Sequence, residues 1–250
     1  MQLPHRTCRA IDLGRIGYAA ACDLQERLVA ARKSDAIPDI LLFCEHPHVL
    51  TLGRNGRIEN LRASRSTLES RGVEFHHASR GGDITYHGPG QIVGYPIVQL
   101  AEIRRDVGWY VRQLEEVMIR TAAAFGVDAF RVKGCTGAWT CPSGGDGKEK
   151  IGAIGVHISR WVTSHGFAFN VCPDLSFFDL IVPCGIAGCR TTSLARLVGR
   201  PISTAEALPI VTAEFARAFD VQVEFDGPRR LAEWLSAAEL QTHSETEILQ

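Results

Sequence analysis

The sequence predicts an α+β fold, a central mixed β-sheet flanked by helices that interrupt the strands without strictly alternating with them. Three observations carry this expectation. The chain has 250 residues, 45% of them hydrophobic and 22% charged, which is enough to bury a substantial core. Short β-branched or alternating apolar runs follow one another closely from residue 40 to 98 and again from 130 to 171. Helical periodicity is confined to a few longer stretches, chiefly 18–32, 106–125 and 204–219.

In chain order, Cys8 to Leu13 reads as a strand and Tyr18 to Arg32, rich in Ala and Leu, as a helix. Ile40 to Phe43 and Val49 to Leu52 are apolar strands around the loop 44–48. Ser64 caps a short helix to Arg71 that Gly72 ends. Val73 to His76, Ile84 to His87 and Ile92 to Val98 read as strands, the last two around the turn Gly88-Pro89-Gly90. Asp106 caps a helix to Phe125, closed by Gly126. Strands follow at Phe130 to Val132 and Gly137 to Thr140, then the polar loop 142–147, then strands at Ile151 to Ile158 and Gly166 to Val171. Thr204 to Phe219 is helical, Val221 to Phe225 a strand, and Arg229 to Ala238 a last helix. No repeat or long linker divides the chain, so residues 1–238 are expected to form a single domain, with 239–250 a polar tail.

A formal net charge of −1 points to no nucleic-acid or membrane partner. No run approaches the ~20 apolar residues that span a bilayer, and the start of the chain lacks a secretory signal. Eight cysteines without a Cys-x-x-Cys pair then suggest reduced thiols in a cytoplasmic protein, most of them small buried hydrophobes, with no structural zinc. Lys33, Lys133, Lys148 and Lys150 are the only lysines among 27 basic residues.

Three segments carry chemistry. In 80–91, Arg80-Gly81-Gly82-Asp83-Ile84-Thr85-Tyr86-His87-Gly88-Pro89-Gly90-Gln91, glycines allow close backbone approach to a ligand, with a cation and an imidazole alongside. The segment lacks the features of a phosphate loop, and a plain glycine-rich hairpin fits its composition as well. In Lys150-Ile151-Gly152-Ala153-Ile154-Gly155-Val156, a lysine stands at the mouth of a small-residue strand, where partial desolvation makes it a usable base. The alternative is a solvated lysine ending the run Lys148-Glu149-Lys150. In Pro183-Cys184-Gly185, proline and glycine frame a thiol on a tight, accessible turn, as a nucleophile needs. Cys189 lacks that frame, and His46, His48, His76 and His77 have no metal-ligand spacing.

Together these segments resemble the octanoyltransferase, or lipoyl(octanoyl) transferase, family of lipoate biosynthesis. The likeness covers Arg80 to Gln91 with Tyr95-Pro96, and Lys150-Ile151 with Ala153 to Val156. It continues through Arg160 to Thr163, and His165 to Ala168 with Asn170-Val171, and then Pro183 to Ile186 with Thr192 to Leu194. Glu45-His46-Pro47 and Thr51 to Arg54 extend it upstream. Departures are small: Gly152 for an alanine, His157 for an arginine, Cys189-Arg190 at a variable place, and an insertion over 141–148.

The resemblance implies a catalytic domain like those of biotin and lipoate protein ligases. It implies octanoyl transfer from octanoyl-acyl carrier protein to Cys184, then from that thioester to a lysine of a lipoyl domain. The acceptors are those of 2-oxo-acid dehydrogenase complexes and the glycine-cleavage H protein. Lys150 is the neighbouring cation or base. Arg80 to His87, Ala153 to Gly155 (with Ile154 between) and Gly166, Phe167 and Ala168 line the acyl site. No cofactor, metal or ATP is expected. N–H groups near Gly185 or in the Gly81-Gly82 loop are the expected oxyanion donors. An ATP-dependent ligase of the same fold is the main rival, and Pro183-Cys184-Gly185 argues against it.

Overall fold

A computed structural model describes residues 6–141, 147–185 and 188–248, with side chains to residue 238. Most of the polar loop expected at 142–147, and Ile186, lie outside the described residues. In chain order the elements are β1 (Arg6–Arg15), α1 (Tyr18–Lys33), β2 (Asp39–Glu45), β3 (Val49–Leu52), α2 (Arg65–Ser70), β4 (Glu74–His77), β5 (Ile84–His87) and β6 (Gln91–Ile97). Then come α3 (Val107–Ala124), β7 (Ala129–Val132), β8 (Cys135–Thr140), β9 (Glu149–Ser159) and β10 (Val162–Asn170). The chain closes with β11 (Arg190–Thr191), α4 (Leu194–Val198), α5 (Thr204–Phe219), β12 (Val221–Phe225) and α6 (Pro228–Ile248).

Among the described residues a nine-stranded mixed sheet runs in the order β12-β1-β2-β6-β10-β9-β8-β7, with β11 on β9. The pairs β12–β1, β1–β2 and β9–β11 are parallel and the others antiparallel. A smaller sheet, β4-β3-β5, stands apart. The glycine-rich segment is therefore no hairpin: β5 pairs with β3, while β6 enters the large sheet between β2 and β10. The turn Gly88-Pro89-Gly90 carries the chain from one sheet to the other.

Strand alternation divides the core. Phe167 and Phe169 of β10 face α3 and α5, with Tyr110, Leu114, Met118 and Phe215, whereas Ala168 faces the α1 and α6 side with Leu28, Leu42 and Leu235. Burying each large apolar side chain contributes about 1.5–3 kcal/mol. A third cluster, Leu50, Ile84, Tyr86, Phe177, Phe178 and Ile181, fastens the small sheet to the segment that leads to Cys184. Caps read from the sequence are formed: Ser64 accepts from Thr67 N–H and Asp106 from Trp109 N–H.

Three expectations change. The last helix, expected to end at Ala238, runs to Ile248, so the backbone of 239–248 is helical. The strand pair β9–β10 is longer at its hairpin end than expected. Its turn uses Arg160 and Trp161 at φ +51° and +67°, a conformation that apolar patterning does not signal. Of the cysteines only Cys8 and Cys44 are buried, because the others lie on turns, strand ends and a helix flank.

Candidate active site

Lys150, the second residue of β9, lies beside its partner Thr191 of β11, and Thr192 N–H donates to the Lys150 carbonyl. This pairing turns the lysine inward, where it is only 5% exposed. Its Nζ donates to Cys184 Sγ at 3.0 Å and to the Thr136 carbonyl at 3.0 Å, 4.7 Å from the centre of the Trp139 ring. Cys184 sits between proline and glycine as expected, but it is itself left-handed, with φ +58°. Non-glycine residues adopt that conformation at a cost of about 1–3 kcal/mol, repaid only where the surroundings impose it.

Those surroundings begin with Asp83. Its carboxylate accepts from Asn60 Nδ2 (2.6 Å), Arg57 N–H (3.2 Å) and Ile84 N–H (2.6 Å). A Cβ on Gly185 would lie 2.4 Å from Asp83 Oδ2, so glycine alone lets the cysteine turn rest on this carboxylate. Asn60 also accepts from Val182 N–H through its carbonyl at 2.7 Å.

The Arg80–Gly82 loop lies flat on β9, with Gly81 N–H donating to the Val156 carbonyl at 2.9 Å. Gly155 permits this, since a Cβ there would meet Arg80 Cδ at 2.8 Å and the Gly81 carbonyl at 3.0 Å. Arg80 is buried and donates to Thr51 Oγ1, the Thr51 carbonyl and the Gly81 carbonyl. No carboxylate bonds it among the described residues, and burial lowers its pKa. His87 stays neutral: burial, then His46 and Arg80, push its pKa well below the usual value, while its Nδ1 meets Gln91 Oε1 at 3.2 Å. Gln91 continues to Asn170, and Asn170 to the Thr192 carbonyl, so one hydrogen-bonded chain links this histidine to the strand behind Lys150.

These elements enclose a cavity of about 230 Å³. Of the residues expected around it, Arg80, Gly82, Asp83, Ile84, Thr85, His87, Lys150, Ala153, Ile154, Gly155, Gly166, Phe167, Ala168 and Cys184 line it. Gly81 and Tyr86 do not: Gly81 is spent on docking its loop, and the Tyr86 ring stacks on Phe177 beneath the site. Tyr86 instead borders a small adjoining pocket shared with Lys150, Pro183 and Cys184. Sequence reasoning missed Tyr18, Val93, Tyr95, Gly134, Cys135, Thr136 and His165 as lining residues. Thr136 takes part through its carbonyl, which no side-chain pattern reveals, and Tyr18 arrives from a distant helix. Two of the expected oxyanion donors are engaged elsewhere, since Gly185 N–H donates to the Val182 carbonyl and Gly81 N–H to the Val156 carbonyl.

Among the described residues no set of three His, Cys, Asp or Glu side chains is placed to hold a metal ion, and no helix is long and apolar enough to cross a membrane. His46 is a buried structural residue, its ring nitrogens meeting the Ile16 carbonyl and Tyr95 Oη at 2.7 Å each. The site can do nucleophilic chemistry: a thiol in contact with an amine, opening into a cavity walled by small and apolar groups.

Residues 17–216 match the family model of the lipoyl protein ligase A/B catalytic domain. The chain is 52% identical to an octanoyltransferase of Solibacter usitatus over 218 residues, covering 87% of this chain and 96% of that protein. It is also 52% identical to an octanoyltransferase of Acidobacterium capsulatum over 222 residues, covering 85% and 90%. In structure it resembles the bipartite lipoate protein ligase of Thermoplasma acidophilum, with a TM-score of 0.71 over 94% of this chain and 92% of that one. Sequence identity there is 16%, so the likeness shows the fold alone: a lipoate-ligase catalytic architecture with a mixed sheet flanked by helices.

Proposed function

The chain belongs to the octanoyltransferase family, within the lipoyl protein ligase A/B catalytic domains, and on that premise we propose an acyl transfer through Cys184. It is an acyltransferase that moves octanoyl groups in protein lipoylation. The donor is octanoyl-acyl carrier protein. The acceptors are lysines of lipoyl domains, in 2-oxo-acid dehydrogenase complexes and the glycine-cleavage H protein, and the reaction takes place in the cytoplasm.

The observation that supports this reading is the 3.0 Å contact of Lys150 Nζ with Cys184 Sγ at the rim of the cavity. In the first half-reaction the Cys184 sulfur, its negative charge stabilised by the Lys150 ammonium, attacks the donor carbonyl. A new C–S bond forms, the bond to the carrier's thiol breaks, and Lys150 gives that thiol its proton. In the second, the acceptor amine attacks the Cys184 thioester, passes a proton to Lys150, and leaves as an amide while the Cys184 sulfur departs. The thioester stores the activation, so neither step draws on ATP. Ala153, Gly155, Gly166 and Ala168 give the acyl chain a wall of small side chains, and the Asp83 seat holds the sulfur over it.

Intact mass after incubation with octanoyl-acyl carrier protein tests the reading. One octanoyl adduct is expected, released by hydroxylamine and absent in Cys184→Ser. An adduct that survives the substitution, or that maps to Cys189, defeats it.

A further inference from the structure

The acyl cavity runs along β9 and β10. Lys150 and Cys184 stand beside Ala153, which pairs with Ala168; farther along the same strands come Gly155 opposite Gly166 and then Val156 opposite His165. At about 3.3 Å per residue, Ala153 to Val156 is roughly 10 Å, close to the length of an extended eight-carbon chain. A chain attached at Cys184 and laid along β9 and β10 therefore ends at His165.

Beyond His165 lies a second, larger cavity of about 740 Å³ between α1 and the outer end of β9–β10. Its walls include Val29, Ala30 and Ala78 as well as polar groups, and among the described residues His165 is the one that lines both cavities. The imidazole is fixed in place. His165 Nε2 meets Ser79 Oγ at 2.8 Å, its backbone N–H donates to Gln25 Oε1 at 2.7 Å, and its backbone is left-handed, at φ +53°. A β-strand residue held in that conformation by two side chains of other elements is imposed by its surroundings, not chosen by local preference. Burial first, then Arg80, His157 and Arg54, holds the ring's pKa down to about 4, so a neutral ring, 6% exposed, faces the chain end.

We propose that His165 sets the acyl-chain length, as a wall between the acyl cavity and the second cavity, which receives the tail of a longer chain once the imidazole is removed. This inference rests on the reading of the first cavity as the acyl site. Two extra methylenes have no room in front of the imidazole, and overfilling a packed site is costly.

The test uses octanoyl, decanoyl and dodecanoyl thioesters of acyl carrier protein with wild type, His165→Gly and Ser79→Ala. Glycine suits the left-handed backbone. The wild type is expected to use dodecanoyl at least about tenfold less well than octanoyl, measured as kcat/KM and as the Cys184 adduct by intact mass. His165→Gly is expected to raise the dodecanoyl-to-octanoyl ratio at least about tenfold, and Ser79→Ala, which frees the ring without removing it, to raise it less. An unchanged ratio in His165→Gly overturns the proposal. If that variant does not fold, an unchanged ratio in Ser79→Ala overturns it. A wild type that forms no octanoyl adduct defeats the acyl-site reading itself, and the wall falls with it.

Discussion

Replacing Lys150 by alanine separates the two duties assigned to its amine. The side chain is buried, and Nζ holds two partners at 3.0 Å, the Cys184 sulfur and the Thr136 carbonyl. A hydrogen bond from a charged donor is worth about 1.5–3 kcal/mol. At about 1.4 kcal/mol per factor of ten, Lys150→Ala then slows reactions of the Cys184 sulfur by about 10- to 150-fold. The freed Thr136 carbonyl lowers stability by a further ~1–3 kcal/mol, too little to unfold a domain of this size. Two rates are measured at neutral pH: alkylation of Cys184 by iodoacetamide, and single-turnover octanoyl transfer to a lipoyl domain. Both are expected to fall in Lys150→Ala while melting stays cooperative. Lys150→Arg keeps a cation but supplies no base, because the guanidinium does not give up its proton. It should retain much of the alkylation rate and lose the transfer to the acceptor amine. Wild-type rates of both reactions in Lys150→Ala refute the assignment.

Two predictions concern stability. Arg32→Ala removes one of the two arginines on Asp39, whose side chain is 2% exposed and takes Arg32 Nε at 2.8 Å; Glu102 also loses Arg32 Nη2 at 2.9 Å. Arg6 remains on Asp39, so the loss is put at about 3 kcal/mol, or roughly 6–12 °C in Tm, and a calorimetric scan that moves less than 2 °C contradicts it. The buried histidines make the fold sensitive to acid. His165 falls from 6.5 to about 4 in the folded chain and His87 moves the same way, so the unfolded chain takes up these protons first. Stability is thus complete above about pH 6.5 and drains away toward pH 4, by about 3 kcal/mol for His165 alone. Urea midpoints should fall between pH 7 and 4.5, less steeply in His165→Gly; a flat profile is incompatible with a buried neutral ring.

The residue types that the proposed chemistry uses were legible because neighbours in sequence set them apart. Pro183 and Gly185 frame Cys184, small residues follow Lys150, and glycines space Arg80 from His87. Helix caps and the apolar alternation of β9 and β10 were legible for the same reason, since each depends on residues a few positions apart. The sheet partner of β5 was not. The turn at Gly88-Pro89-Gly90 permits a hairpin, and only the packing of Tyr86 and Ile84 onto Phe177 and Phe178 sends β5 to the small sheet.

From the sequence alone come a thiol on a rigid turn, a lysine on a small-residue strand and a mixed-sheet fold, all fixed by local conformational preference and hydrophobic period. Only the tertiary structure decides that this lysine, 34 residues from the cysteine, lies within hydrogen-bond reach of it. It alone puts Cys184 at positive φ on the Asp83 carboxylate, and brings His165 into the cavity wall. These are distances and burials, set by the register of strands remote in sequence and by which side chains close over them, and no window of the chain contains both partners.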